Sequence, residues 1–154
     1  MTICVLAVII GVVAGLRTLT APAAISWAAH LGWLQLSGTW VAFLGYAWTP
    51  WIFTVLALVE LVADQLPSTP SRTVPVQFGA RIVSGALSGA AVGASGGSLL
   101  LGVVAAVVGT VIGTLGGHTI RAKLAAIFGR DRPAAIIEDV VAIGVAVAIA
   151  LALR

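Results

Sequence analysis

Glu60 and Asp64 end an otherwise apolar stretch of the chain, within the sequence Glu-Leu-Val-Ala-Asp. On a helix, two residues four positions apart share one face. A second acidic pair, Glu138 and Asp139, lies inside the last apolar stretch, so four of the five acidic residues have apolar surroundings. Carboxylates in a low-dielectric setting attract protons and cations. We therefore predict that these four residues bind an ion or relay protons.

Each acidic pair also has a structural interpretation. Asp64 would then meet the loop at the membrane interface, while Glu60 pairs with an arginine. Glu138 and Asp139 point about 100° apart on a helix. They follow Pro133 within the first turns and complement the positive end of the helix dipole.

Three arginines are candidate partners for these acids or for an anionic substrate, because guanidinium binds carboxylate or phosphate with two parallel hydrogen bonds. They are Arg17, Arg81 and Arg121. As simple topology anchors they would need no function, and that interpretation is preferred for Arg130, Arg132 and Arg154.

His118, in the basic stretch that contains Arg121, completes the set of binding candidates. A metal site needs several ligands, and neither His118 nor the single cysteine, Cys4, has a recognisable set beside it. We therefore predict no metal site and no cofactor.

One motif raises an enzyme hypothesis. Gly93-Ala94-Ser95-Gly96 is similar to the Gly-x-Ser-Gly motif of rhomboid intramembrane proteases, whose serine needs a histidine base. His118 is the one later histidine, after a further apolar span. A loop between two glycine-rich helices explains the same residues, and we predict that the protein is not an enzyme and has no catalytic residue.

The composition predicts an integral membrane protein. Of the 154 residues, 60% are hydrophobic and 8% are charged, whereas soluble domains have about 25% charged residues. The mean hydropathy is +1.16. The few basic residues flank apolar stretches, which indicates topology signals and not a nucleic-acid surface. Arg17 after the first apolar run, with no Lys or Arg before it, favours an uncleaved span over a signal peptide.

We predict an all-α membrane protein with one domain, residues 1–154. Its elements are about five transmembrane helices plus two short interfacial or re-entrant helices. The spans are expected at about 2–16, 50–64, 78–95, 99–115 and 134–153, and the short helices at about 22–34 and 118–129. The proline-rich stretch from Gln65 to Gln77 predicts an extended loop.

The region from Trp27 to Trp51 holds all five tryptophans of the chain. Such a cluster is typical of a membrane-water boundary. The first short helix begins after Thr20, a candidate hydroxyl cap, and Pro22. It would be interfacial, or it would form a re-entrant hairpin with a second arm at Thr39 to Trp48.

Glycines recur every four residues in three of the predicted spans and predict close packing between helix backbones. The stripes are Gly11 and Gly15; Gly85, Gly89, Gly93 and Gly97; and Gly109, Gly113 and Gly117.

Two halves of the chain show a short likeness, which indicates an inverted repeat of the kind found in transporters. Ala28-Ala29-His30-Leu31-Gly32 is similar to Ala125-Ala126-Ile127-Phe128-Gly129. In a five-span arrangement the loops with Arg72 and with Arg121 to Arg132 fall on one side. The positive-inside rule makes that side, and the N-terminus, cytoplasmic.

The chain resembles the bacterial membrane proteins grouped as domain of unknown function 4126. The matching residues are Gly15-Leu16-Arg17-Thr18 with Ala21-Pro22, Glu60-Leu61-Val62-Ala63-Asp64 with Pro67, Arg81 with Gly85, and Glu138-Asp139. The family typically has lysine after the aspartate, where this chain has Gln65. The resemblance implies a multi-pass protein of the bacterial inner membrane, and it leaves the activity open.

The favoured hypothesis is a transporter or channel that moves a small ion or solute by means of its buried carboxylates. The alternative is a non-transporting scaffold or assembly subunit whose glycine stripes form oligomer contacts and whose charges are paired. Under both hypotheses the lipid bilayer is a partner. We also favour a homo-oligomer, because a chain with so few spans often needs further copies to enclose a pathway.

Overall fold

The computed structural model describes residues 2–64 and 74–154, and these residues form helices without any β-strand. The all-α prediction is confirmed. The helices are α1 (Thr2–Leu16), α2 (Thr20–His30), a 3₁₀ helix (Trp40–Gly45), α3 (Thr49–Ala63), α4 (Pro75–Ser95), α5 (Leu99–Phe128) and α6 (Asp131–Ala152).

Helix α5 lies at the centre of the packing, between α1 and α4, and the predicted glycine stripes make this contact. Gly109 lies against the backbone of Val8 on α1, and Gly89 on α4 lies against Gly102. A methyl group on Gly89, Gly102 or Gly109 would clash with backbone atoms of the neighbouring helix. Gly97 is not part of a stripe, because it lies in the turn between α4 and α5 with φ of +78°.

Helices α1 and α5 run in parallel. Gly11 lies against Ala106, and Gly15, one turn later, lies against Thr110 and Gly113. A five-span arrangement would make these helices antiparallel, and the expected five spans are not confirmed. With 15 residues, α1 is roughly 22 Å long and is shorter than the hydrocarbon core of a bilayer, about 30 Å.

Within the described residues, two helices are long and apolar enough to cross a membrane: α5 with 30 residues and α6 with 22. The structure corrects the expected short helix at about 118–129, because α5 continues without a break to Phe128. Gly116 and Gly117 lower helix propensity but keep their backbone hydrogen bonds, so they do not end the helix. It ends at Gly129, whose φ of +66° is the left-handed conformation usual after a helix.

Helices α2 and α3 run antiparallel. Glu60 meets Leu19 at one end of the pair, and Trp27 meets Trp51 toward the other, with ring centroids 5.0 Å apart. Helix α2 is shorter than expected and ends at His30. Thr20 is its first residue and not its cap, since Leu19 holds the cap position without a side-chain hydrogen bond.

The expected second hairpin arm, Thr39 to Trp48, contains the 3₁₀ helix, which returns to α2. His30 Nδ1 lies 3.3 Å from the carbonyl oxygen of Gly45. Val41 and Leu44 are buried in the same core as Ile25 of α2.

The predicted loop from Gln65 to Gln77 lies mostly outside the described residues, as do Gln65, Pro67 and Arg72. Pro75, expected in that loop, is instead the first residue of α4. Proline suits the first position of a helix because its missing N–H would have no partner there.

Candidate functional site

The chain between α1 and α2, Arg17-Thr18-Leu19, is the centre of the candidate site. The α1 carbonyl groups that precede it have no helical N–H partner and are bound by side chains of other helices. Arg81 of α4 donates through Nη1 to the carbonyl oxygens of Gly15 and Leu16, at 2.9 and 2.8 Å. Thr114 Oγ1 of α5 donates to Gly15 at 3.3 Å. The positive charge of Arg81 thus lies at the negative end of α1.

The amino end of α2 is satisfied by a carboxylate. Glu60 of α3 accepts the backbone N–H of Thr18 at 2.7 Å and of Leu19 at 2.8 Å. The Ser84 hydroxyl of α4 donates to the Thr18 carbonyl oxygen. Where a helix is interrupted in a region without water, its free backbone groups need such hydrogen-bond partners. We expected an arginine as the partner of Glu60, but its carboxylate is bound by two backbone N–H groups instead.

Arg17 is fully buried and holds two carboxylates. Its Nη1 donates to Asp64, which caps the carboxyl end of α3, and its Nη2 donates to Asp139 of α6. Arg17 Nε has no acceptor among the described residues. One guanidinium therefore faces two carboxylates in a buried position.

A second ion-pair group lies where α5 and α6 meet. Arg121 donates through Nε to Asp131 at 2.9 Å and through Nη2 to the other oxygen of that carboxylate at 2.5 Å. Its Nη1 lies 3.5 Å from Oε2 of Glu138. Arg121 thus connects an exposed carboxylate with a buried one.

A cavity of about 120 Å³ lies beside this group, between α5 and α6. Arg121 and Glu138 line it together with apolar side chains and with Leu16, the residue before Arg17. Of the two buried acidic side chains of α6, Glu138 lines the cavity and Asp139 does not.

The structure brings most of the predicted binding candidates together. At the helix break it joins Arg17, Glu60, Asp64, Arg81 and Asp139, and at the cavity it joins Arg121 and Glu138. His118 is exposed and lies outside both groups. In residues 2–64 and 74–154 no three His, Cys, Asp or Glu side chains form a group that could hold a metal ion.

Sequence reasoning missed Ser84, Thr114 and Asp131 as members of these groups. The sequence does not reveal which backbone group a serine or threonine in an apolar helix will bind. Asp131 could have been predicted from the sequence. It is the first residue of α6, and a short turn at Gly129 and Arg130 joins α6 to the helix that carries Arg121.

Ser95 and His118 are not brought together. The Ser95 hydroxyl donates to the carbonyl oxygen of Val92 at 2.8 Å, at the end of α4 that adjoins the start of α5. His118 lies 19 residues after Leu99 on α5, which is roughly 28 Å along the helix axis.

The family model described as "Domain of unknown function (DUF4126)" matches residues 4–153. The chain belongs to this family. The residues on which its resemblance to the DUF4126 family rests include Arg17, Glu60, Asp64, Arg81 and Asp139, which all meet at the helix break. No curated protein and no solved structure matches the chain.

Proposed function

We propose that this protein is a multi-pass membrane protein that carries a proton or another small cation through the buried carboxylates around Arg17. One observation supports this most strongly: Arg17, which is fully buried, is shared by Asp64 and Asp139. The pair of carboxylates brings one more negative charge than Arg17 neutralises. In apolar surroundings a proton or a bound cation would compensate that charge.

The outer surface supports the membrane setting. Besides α5 and α6, the outer face of α3 is apolar, with Val55, Val59 and Val62 all more than half exposed. Contiguous apolar patches of this kind are rare on soluble monomers. Exposed Trp48 at the start of α3 suits a membrane-water boundary. The proposed location is the bacterial inner membrane.

The depth of the helix break supports transport. Thr114, which binds the Gly15 carbonyl oxygen at the break, is close to the middle of α5 (Leu99–Phe128). If α5 crosses the bilayer, the break lies near the midplane, where transporters with interrupted helices bind their ions and substrates.

The direction of the helices limits the orientation in the membrane. Ile3 of α1 lies beside Gly96, in the turn between α4 and α5, at the end of the bundle opposite Arg121 to Arg132. We expected both the basic loop and the N-terminus to be cytoplasmic. Because they lie at opposite ends of the bundle, they cannot both be on that side. We give the positive-inside rule precedence, which puts the amino end of α1 outside.

A non-transporting scaffold is the second candidate function, and the contacts of Glu60 and Arg81 favour it. Both side chains are engaged with backbone groups, which stabilises the fold without any ligand. The three glycine stripes, predicted as oligomer contacts under this hypothesis, instead pack within the chain between α1, α4 and α5, so they do not add support to it. An inverted repeat would support transport, but Gly32 and Gly129 both follow a helix end with positive φ, which accounts for part of that likeness.

The two candidates are separated by ion flux in liposomes that contain the purified protein. A potassium gradient with valinomycin sets the membrane potential, and an internal dye reports pH, with sodium or choline as the other cation. We expect flux above that of protein-free liposomes. We expect Asp64→Asn and Asp139→Asn, as single variants that each leave Arg17 one carboxylate, to lose at least nine-tenths of that flux while remaining folded. A folded parent protein without flux of any cation would instead support the scaffold.

A further inference from the structure

The cavity between α5 and α6 opens toward the outer surface of the protein. Its walls include Ile120, Ile137 and Val141, which are 59%, 41% and 49% exposed. Leu16, Leu124 and Ala134 are further apolar members of the lining, which also includes Gly117, Arg121 and Glu138. A narrow apolar cleft that reaches a lipid-facing surface matches the shape and chemistry of an acyl chain.

The end of the bundle next to this cavity is positively charged. The end of α5 and the start of α6 carry four basic residues, Arg121, Lys123, Arg130 and Arg132, and two acidic ones, Asp131 and Glu138. Arg121 is engaged by both acids, while the other three basic side chains are exposed. This end therefore has an excess of two positive charges.

The distance between cavity and charge fits a single amphipathic molecule. Leu124 lies four residues before Phe128, the last residue of α5, which is roughly 6 Å along the helix axis. The basic residues Arg130 and Arg132 follow directly. A chain in the cavity would thus have its polar end about one helical turn away, among these basic side chains.

We infer that this cavity binds one acyl chain of an anionic phospholipid, whose phosphate group lies among Lys123, Arg130 and Arg132. Basic residues at helix ends attract anionic lipid head groups, and a cleft between two helices holds the chain. The apolar lining distinguishes such a lipid from a free phosphate ion, which would gain nothing from Ile137 or Leu124. This inference rests on the membrane setting proposed above and not on ion transport.

Native mass spectrometry of the detergent-purified protein tests this site. The protein is incubated with dioleoyl phosphatidylglycerol, with dioleoyl phosphatidylcholine or with glycerol 3-phosphate. We expect retention of phosphatidylglycerol several-fold above phosphatidylcholine, and no retention of glycerol 3-phosphate. Replacing Lys123 and Arg130 by glutamine should weaken retention of phosphatidylglycerol about fivefold for each charge removed.

A matched pair of variants tests the cavity itself. Ile137→Trp fills the cavity, whereas Ile136→Trp places the same bulk on a neighbouring position that is 54% exposed and does not line it. We expect Ile137→Trp to reduce retained phosphatidylglycerol at least fivefold and Ile136→Trp to leave it unchanged, with equal thermal stability of the two variants.

Three results would overturn the inference. Equal retention of the two phospholipids would remove the role of the basic end, and equal effects of the two tryptophan variants would remove the role of the cavity. A dimer that Ile137→Trp abolishes, with no lipid retained, would show that a second copy of the chain fills the cavity. Because ion flux is not measured here, these results do not depend on the outcome of the liposome experiment.

Discussion

The carboxylate of Glu60 on α3 accepts the backbone N–H of Leu19, the cap position of α2, at 2.8 Å. The neighbouring N–H of Thr18 is bound by the other oxygen at 2.7 Å. The first N–H groups of a helix have no partner within the helix, and the helix dipole makes a negative charge favourable there. Glu60 thus caps α2 from another helix, while Arg81 binds the carbonyl groups at the end of α1.

Replacing Glu60 should therefore destabilise the protein. Hydrogen bonds to a charged group contribute about 1.5–3 kcal/mol each in buried positions. Because Glu60 is partly exposed, we expect a loss of about 2 kcal/mol for Glu60→Ala and a smaller loss for Glu60→Gln, which keeps one acceptor oxygen. Thermal unfolding in detergent measures both. The control is Val59→Ala, which shortens an exposed neighbouring side chain. If Glu60→Ala lowers the stability no more than Val59→Ala does, Glu60 does not cap α2.

Removing Arg17 should leave the buried carboxylate of Asp139 and the half-buried carboxylate of Asp64 without their partner. Breaking a buried ion pair on one side costs about 3–5 kcal/mol, so we expect Arg17→Leu to unfold at a markedly lower temperature. Adding Asp64→Asn and Asp139→Asn to that variant should restore part of the stability, because no charge then remains uncompensated. Thermal unfolding of the three proteins checks this, with the exposed Arg154→Leu as control. No recovery in the triple variant would mean that Arg17 acts through packing and not through charge.

Two glycines of α5 should respond in opposite ways to alanine. A Cβ at Gly109 would overlap the Val8 carbonyl group of α1, whereas a Cβ at Gly116 meets nothing within 4 Å. We expect Gly109→Ala to lose about 1–3 kcal/mol through overpacking. Gly116→Ala should be neutral or gain up to about 1 kcal/mol from helix propensity. Equal unfolding temperatures for the two variants would contradict the close contact of α1 with α5.

The membrane setting predicts different access to two positions on α5. Val108 is 51% exposed within the first half of the helix, and Ile127 is 76% exposed at its end. In a Cys4→Ser background, a water-soluble maleimide should label Ile127→Cys in liposomes but not Val108→Cys. Both should react after solubilisation and unfolding. If Val108→Cys reacts as fast as Ile127→Cys in intact liposomes, α5 does not cross the bilayer.

The sequence predicted the positions of the acidic pairs and the glycine stripes because both stand out by type and spacing. Four buried or half-buried carboxylates in apolar stretches are visible without a structure, and so is Arg17 at the break after the first run. The close packing of Gly109 and Gly113 against α1 also follows from their period.

The partner of Glu60 and the length of α5 could not be predicted in the same way. A backbone N–H has no side-chain signature, so an arginine was the natural expectation for a buried carboxylate. The parallel arrangement of α1 and α5 depends on contacts between distant parts of the chain, such as Gly15 with Thr110. A separate short helix was expected at about 118–129, but the chain before it stays helical through Gly116 and Gly117, and α5 ends only before Gly129.

The proposed role of the buried carboxylates is tested most directly by proton flux into liposomes that contain equal amounts of the parent protein, Asp139→Asn or Val140→Ala. Val140 is the exposed neighbour of Asp139 on α6. We predict flux in the parent and in Val140→Ala, and a loss of at least tenfold in Asp139→Asn with the fold retained. Flux that is unchanged in a folded Asp139→Asn variant would contradict the proposal that protons pass through the carboxylates held by Arg17.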